Sequence, residues 1–236
     1  MNQEIEHIFF DLDHTLWDFD RNSELAFAAI FSDDFPTIAI NDFIQVYVPI
    51  NQECWRLYQS DQISHHQLRY NRLKQSFDAI NFNASDADID HIANKYLALL
   101  PTNNLLLDGT IQVLEYLQKS YQLHIITNGF ADVQERKLLN SGLKPFFRTI
   151  TNSEDAGCKK PNSLIFETAL GRASASKNNA IMVGDSWEAD VLGALNFGIG
   201  AIYFNPENLS VKTLELPLNS QKFFEINQLQ ELTKLL

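Results

Sequence analysis

Three short apolar runs in this chain each stop abruptly at polar residues that can do chemistry. Ile8-Phe9-Phe10 runs into Asp11-Leu12-Asp13, Leu123-His124-Ile125-Ile126 into Thr127-Asn128-Gly129, and Ala180-Ile181-Met182-Val183 into Gly184-Asp185. Short apolar runs bounded by polar residues suit strands buried on both faces of a parallel sheet. In such a sheet every C-terminal strand end lies on one edge, so residues far apart in sequence converge there.

The stretches between the runs decide the fold class. Helices are expected from Asp108-Gly109 through Leu117 and Tyr121, over Ala131 to Ser141 with Gly142 as a stop, over Pro161 to Arg172, over Glu188 to Asn196, and over Leu229 to Leu236. Further strands are expected over Phe146 to Ile150 and Gly200 to Phe204. Strands alternating with helices predict an α/β fold with a doubly wound parallel sheet. Residues 17 to about 103 read differently. Glu24 to Phe31, Asn41 to Tyr58, Ser64 to Ile80 and Ser85 to Leu100 have helical patterns, with Pro49 expected to break or kink the second and Pro101 to end the last. The expected organisation is therefore a core of 1–16 and 104–236 with an all-helical insertion over 17–103.

Composition narrows the class of protein. The chain has 236 residues, 45% of them hydrophobic, which is enough to bury a proper core. A formal net charge of -12 argues against a nucleic-acid polymer or an anionic membrane surface as partner. Met1 to Glu6 does not resemble a signal peptide, and no apolar run approaches the ~20 residues that span a bilayer. Cys54 and Cys158 lie far apart, as reduced thiols would. The expectation is a soluble cytoplasmic protein, a monomer or small homo-oligomer, acting on a small molecule.

Phosphoryl transfer is the chemistry these strand ends could share. Asp11 could attack phosphorus and form an aspartyl-phosphate. Asp13, offset by one residue, could protonate the leaving oxygen and then deprotonate water. Thr127 and backbone N–H groups near Asn128 could hold phosphate oxygens, with Lys160 offsetting their charge. Asp11 and Asp185 could bind Mg²⁺, a hard cation that prefers oxygen ligands. Each piece alone has a plainer reading: a solvated turn for Asp11 and Asp13, a turn for Thr127-Asn128-Gly129, a solvated lysine for Lys160, a helix cap around Asp185 and a solvated helix face for Asp190. Their joint occurrence in this order argues for a site.

Asp11-Leu12-Asp13-His14-Thr15, Thr127-Asn128-Gly129, Lys160-Pro161 and Gly184-Asp185-Ser186-Trp187-Glu188-Ala189-Asp190 together resemble the four motifs of the haloacid dehalogenase-like hydrolase superfamily. The resemblance covers residues 1–16 and about 104–215, and the insertion falls where that superfamily's type C1 caps do. The segments around Asp13 to Asp18, Val183 to Asp185 and Ile202 to Asn205 are similar to its pyrimidine 5′-nucleotidase branch. The resemblance implies Asp11 as nucleophile and metal ligand, and Asp13 as general acid/base whose backbone carbonyl also reaches the metal. It implies Thr127 and Asn128 at the phosphate, Lys160 holding nucleophile and phosphate, Asp185 at Mg²⁺, and Asp190 as a further metal ligand or the support of one. His14 stands where a glycine is commoner. Members that break carbon–halogen or phosphonate bonds lack the second aspartate, so Asp13 points to a phosphomonoester, with nucleoside 5′-monophosphates first. A phosphomutase, a sugar-phosphate or phosphoglycolate phosphatase, and a non-catalytic binding protein are the competing readings.

Other residues carry less. His65-His66 has no third ligand nearby for zinc. Trp17, Phe19, Trp55 and Tyr58 could line a pocket or simply fill a core. Cys158 beside Lys159 has no redox partner in sequence, and Phe197-Gly198-Ile199-Gly200 precedes a strand, unlike a dinucleotide fingerprint.

Overall fold

A computed structural model describes residues 5–210 and 223–236. The first residues of the polar Met1–Glu6 segment and the last of the resemblance, 211–215, lie outside the described residues. The chain forms two compact units, one of residues 1–18 and 105–236 and one of 19–104.

The first unit opens with β1 (His7–Phe10), all four residues buried. The second unit follows as four helices, α1 (Phe19–Asp34), α2 (Ile40–Gln59), α3 (His65–Ala79) and α4 (Asp86–Leu99). The first unit then resumes with α5 (Thr110–Leu117), β2 (Gln122–Thr127), α6 (Ala131–Asn140), β3 (Phe147–Asn152), α7 (Ser153–Ala156) and α8 (Ser163–Ala173). It closes with β4 (Ala180–Gly184), α9 (Gly193–Phe197), β5 (Gly200–Phe204), β6 (Phe223–Ile226) and α10 (Leu232–Leu235). All five strand pairings are parallel, in the order β3-β2-β1-β4-β5-β6. The order turns back between β1 and β4, the topological switch point of a doubly wound sheet. Phe10 is level with Val183 of β4 and Ile125 of β2, which brings the three strand ends to one level. Phe9, Ile126, Met182 and Tyr203 pack with Ile165, Phe166 and Ala169 of α8 in one buried cluster. The chain leaves and re-enters this unit side by side, Trp17 bridging Leu106 antiparallel.

The helical unit has no strand among its described residues. Its centre is aromatic: Phe27 stacks on Tyr96 at 4.4 Å, and Phe31 meets Phe43 edge-on at 4.8 Å. Ser64 and Ser85 start α3 and α4 with reciprocal capping boxes.

Four local expectations need correction. Pro49 does not break α2, which runs unbroken from Ile40 to Gln59. A proline removes a single N–H bond, here the one to Gln45, and the burial of Phe43, Tyr47, Asn51 and Cys54 carries the helix past it. Pro161 does not open α8; Asn162, a better cap, accepts the Leu164 N–H at 3.0 Å and the helix starts at Ser163. The expected helix over Glu188 to Asn196 begins instead as a wide π turn, Trp187–Leu192. The strand β6 was not expected, because Phe223-Phe224-Glu225-Ile226 is short and only Ile226 is buried. No helix among the described residues is long and apolar enough to cross a membrane.

Candidate active site

Asp11 follows the last residue of β1, and its N–H still donates to Val183 O at 2.9 Å, so β1 and β4 together fix its backbone. Its nearly buried carboxylate accepts from Lys160 Nζ at 2.6 Å. The ammonium also donates to Ile126 O at 2.8 Å and lies 2.7 Å from Asp190 Oδ1, a charge contact without hydrogen-bond alignment. Lys160 is itself clasped: Asn128 Oδ1 accepts its N–H at 2.8 Å and Asn128 Nδ2 donates to its carbonyl at 3.0 Å. Burial pulls the Lys160 ammonium down, but Asp11 and Asp190 outweigh it and its pKa is raised. Burial pushes Asp11 up to about 7, with Lys160 opposing and the neighbouring carboxylates of Asp190 and Asp13 adding to the rise.

Asp185 lies just beyond β4. Thr15 Oγ donates to Asp185 Oδ1 and accepts the Asp185 N–H, both at 3.1 Å, which ties the β1 loop to the β4 loop. Asp190 reaches the site because the π turn brings its carboxylate back to accept the Ser186 N–H at 3.0 Å. Gly184 makes room for it, since a Cβ there would meet Asp190 Oδ2 at 2.2 Å. Burial raises Asp185 to about 6, with His14 opposing and Asp11 adding, and burial likewise raises Asp190 against the pull of Lys160. One oxygen each of Asp11, Asp185 and Asp190 lies within 4.8 Å of the others. This all-oxygen set, short of positive charge, fits a hard divalent cation such as Mg²⁺.

Asp13 is held by a separate set of donors. Its Oδ1 accepts from Lys137 Nζ at 2.6 Å and its Oδ2 from Gln134 Nε2 at 3.0 Å. Gln134 Nε2 also donates to Thr127 Oγ at 2.7 Å. The structure thus gathers Asp11, Asp13, Thr127, Asn128, Lys160, Asp185 and Asp190 at the strand ends. The Asn128 side chain spends both polar atoms on Lys160, so its backbone is what remains for a phosphate. His14 takes a left-handed φ of 61°, the conformation a glycine would ease.

Thr15, Gln134 and Lys137 were missed. Gln134 and Lys137 sit three apart and so share a face of α6, yet in sequence a glutamine and a lysine on a helix read as a solvated face. Of the residues weighed and set aside, His65 and His66 are exposed at the start of α3, and Trp17 is fully buried. Trp55 and Tyr58 pack edge-on at 5.7 Å, and Cys54 and Cys158 are not joined in a disulfide.

Residues 5–198 match the haloacid dehalogenase-like hydrolase family. The chain belongs to this family. Among its relatives, the pyrimidine 5′-nucleotidase PynA of Streptococcus pneumoniae is 32% identical, covering 95% of this chain and 92% of that protein. The pyrimidine 5′-nucleotidase YjjG of Escherichia coli is 31% identical, covering 97% of this chain and 96% of its own. The putative hydrolase YfnB of Bacillus subtilis, solved bound to magnesium, superimposes with a TM-score of 0.86 at 29% identity over 99% of both chains. This family member is accordingly a hydrolase with a Rossmann-like core.

Proposed function

We propose that the protein is a divalent-cation-dependent phosphatase that hydrolyses small phosphomonoesters, with pyrimidine nucleoside 5′-monophosphates as its leading substrates. The observation that carries this reading is Asp11 held by Lys160 Nζ at 2.6 Å within an all-oxygen trio completed by Asp185 and Asp190, with Asp13 on a separate set of donors. The names of the two nucleotidase relatives support the substrate class.

Asp11 attacks phosphorus, and the ester P–O bond breaks as an Asp11–phosphorus bond forms. Asp13 gives the leaving oxygen its proton, then takes one from the water that cleaves the aspartyl-phosphate. Lys160 fixes the attacking carboxylate, while the Thr127 hydroxyl and the backbone beyond it hold the phosphate oxygens. Asp11, Asp185 and Asp190, with the Asp13 carbonyl, would hold Mg²⁺, which removes the repulsion between carboxylate and phosphate. The helical unit is read as the cap that selects the leaving group, hinged near 17–20 and 100–108.

Phosphate release from pyrimidine and purine 5′-monophosphates, sugar phosphates and phosphoglycolate tests the proposal. Turnover should need Mg²⁺, stop with chelator, and fall at least about 10³-fold in Asp11→Asn. Release that persists in Asp11→Asn, or none from any ester by folded wild type, would sink it.

A further inference from the structure

Gln134 and Lys137 are among the most buried polar residues of the protein, at 1% and 2% exposure, although they sit on a helix whose other polar residues face outward. Burying an ammonium and an amide is unfavourable unless both find partners. Lys137 finds Asp13 Oδ1 at 2.6 Å and the face of the Trp17 ring, 4.3 Å from its centroid. Gln134 divides the two hydrogens of one amide nitrogen between Asp13 Oδ2 at 3.0 Å and Thr127 Oγ at 2.7 Å. Its amide oxygen is buried with no partner among the described residues. A leucine would fill the same space without that orphaned acceptor, so the two N–H bonds are what the glutamine adds.

The consequences for Asp13 and Thr127 differ. Both Asp13 oxygens are held, so the plane of the carboxylate is set by α6. Thr127 Oγ accepts from Gln134 and also from the Gly129 N–H at 3.1 Å. With both lone pairs occupied, what its hydroxyl has left to offer is its hydrogen, as a donor. A third observation joins them: a Cβ on Gly129 would meet the Gln134 side chain at 2.4 Å. The glycine of Thr127-Asn128-Gly129 therefore leaves the space in which Gln134 lies.

We infer that Gln134 and Lys137 are positioning residues that set the general acid/base Asp13 and the phosphate-binding Thr127 in one arrangement, with Gly129 providing the room. The inference rests on the phosphatase reading above. Of these two groups, Lys137 bonds Asp13, whereas Gln134 bonds Asp13 and Thr127 together. Losing Lys137 should therefore impair proton transfer and spare phosphate binding. Losing Gln134, directly or through Gly129, should impair both.

The test uses Lys137→Met, Gln134→Leu and Gly129→Ala beside wild type and Asp11→Asn, on a pyrimidine nucleoside 5′-monophosphate and on p-nitrophenyl phosphate. The nucleotide leaves as an alkoxide that needs a proton; p-nitrophenolate leaves without one. With the nucleotide, Lys137→Met should lower kcat about 10²-fold while KM moves less than about threefold. With p-nitrophenyl phosphate its first turnover should stay close to wild type. Slow attack of water on the aspartyl-phosphate should then leave a stoichiometric burst larger than that of wild type. Gln134→Leu and Gly129→Ala should show the same split together with a raised KM. The three atoms nearest the new Cβ of Gly129→Ala all belong to the flexible Gln134 side chain, so a melt that matches wild type separates positioning from misfolding. Equal losses on both esters in the first turnover, or no loss in Lys137→Met, would overturn the inference while wild-type turnover still vanishes in Asp11→Asn. A wild type inactive on both esters would overturn the phosphatase reading and this inference with it.

Discussion

Asp11, Asp185 and Asp190 bring three buried carboxylates together, and burial first, then their mutual repulsion against the pull of Lys160, raises the pKa of each. Between the ordinary carboxylate range and about pH 7 the folded protein holds protons that the unfolded chain has released. Without a divalent cation its stability therefore falls as pH rises through that window. Bound among the three carboxylates, Mg²⁺ would compete with those protons. At pH 8, saturating Mg²⁺ should raise the thermal midpoint by about 5 °C. The gain should shrink as pH drops through about 7 and 6, where Asp11 and Asp185 take up protons. Asp185→Asn should abolish the gain at every pH. Melts of the two proteins with Mg²⁺ and with chelator check this without any substrate, and an equal gain in the variant would remove Asp185 from the metal site.

Among the elements, α2 carries the clearest local conflict. Pro49 lies on an exposed position inside the helix, so its ring contributes no core packing to offset the lost N–H bond. Pro49→Ala should restore the bond to the Gln45 carbonyl and stabilise the helical unit by about 1–2 kcal/mol, the gain being trimmed by the freer unfolded chain. Urea melts would show it, and an unchanged or lower midpoint would contradict the account. The π turn at Trp187–Leu192 is the converse case, where an irregularity serves the site. Its wider loop brings Asp190 to Ser186 and Lys160. A helix pattern in sequence announces neither feature, because hydrophobic spacing over five or six residues does not distinguish a π turn from an α turn.

At the scale of the whole molecule, a second titrating cluster among the described residues lies on the same strands, before the carboxylate-bearing ends. His7 Nδ1, at the start of β1, lies 3.1 Å from His124 Nε2 of β2, and His124 Nδ1 lies 2.8 Å from Thr149 Oγ of β3. Burial, then His7 and Arg148, lowers His124 to about 4. Below pH 6.5 the unfolded chain binds a proton that folded His124 refuses, so stability falls as pH drops from 6.5 towards 4. The fall amounts to as much as about 3 kcal/mol and flattens below that. This slope opposes that of the metal-free carboxylates. His124→Leu should remove the acid loss, read as the difference between the two pH–stability curves; parallel curves would discount it.

Much of this architecture was legible in the chain itself. Apolar runs ending in Asp11, Thr127 and Asp185 specify strands, and strands alternating with helices specify a parallel sheet whose ends must meet. That is local pattern plus one topological rule, and both survive translation into sequence. The same patterning distinguished an all-helical stretch from the rest. Tertiary structure alone decided which partner each polar group received. Thr15 on Asp185, Asn128 on the Lys160 backbone, and Gln134 and Lys137 on Asp13 join residues separated by up to 170 positions. A buried lysine and a solvated lysine have the same letter and the same helical spacing. Only the packing of α6 over the strand ends separates them, because burial is a property of what lies opposite and not of the residue itself.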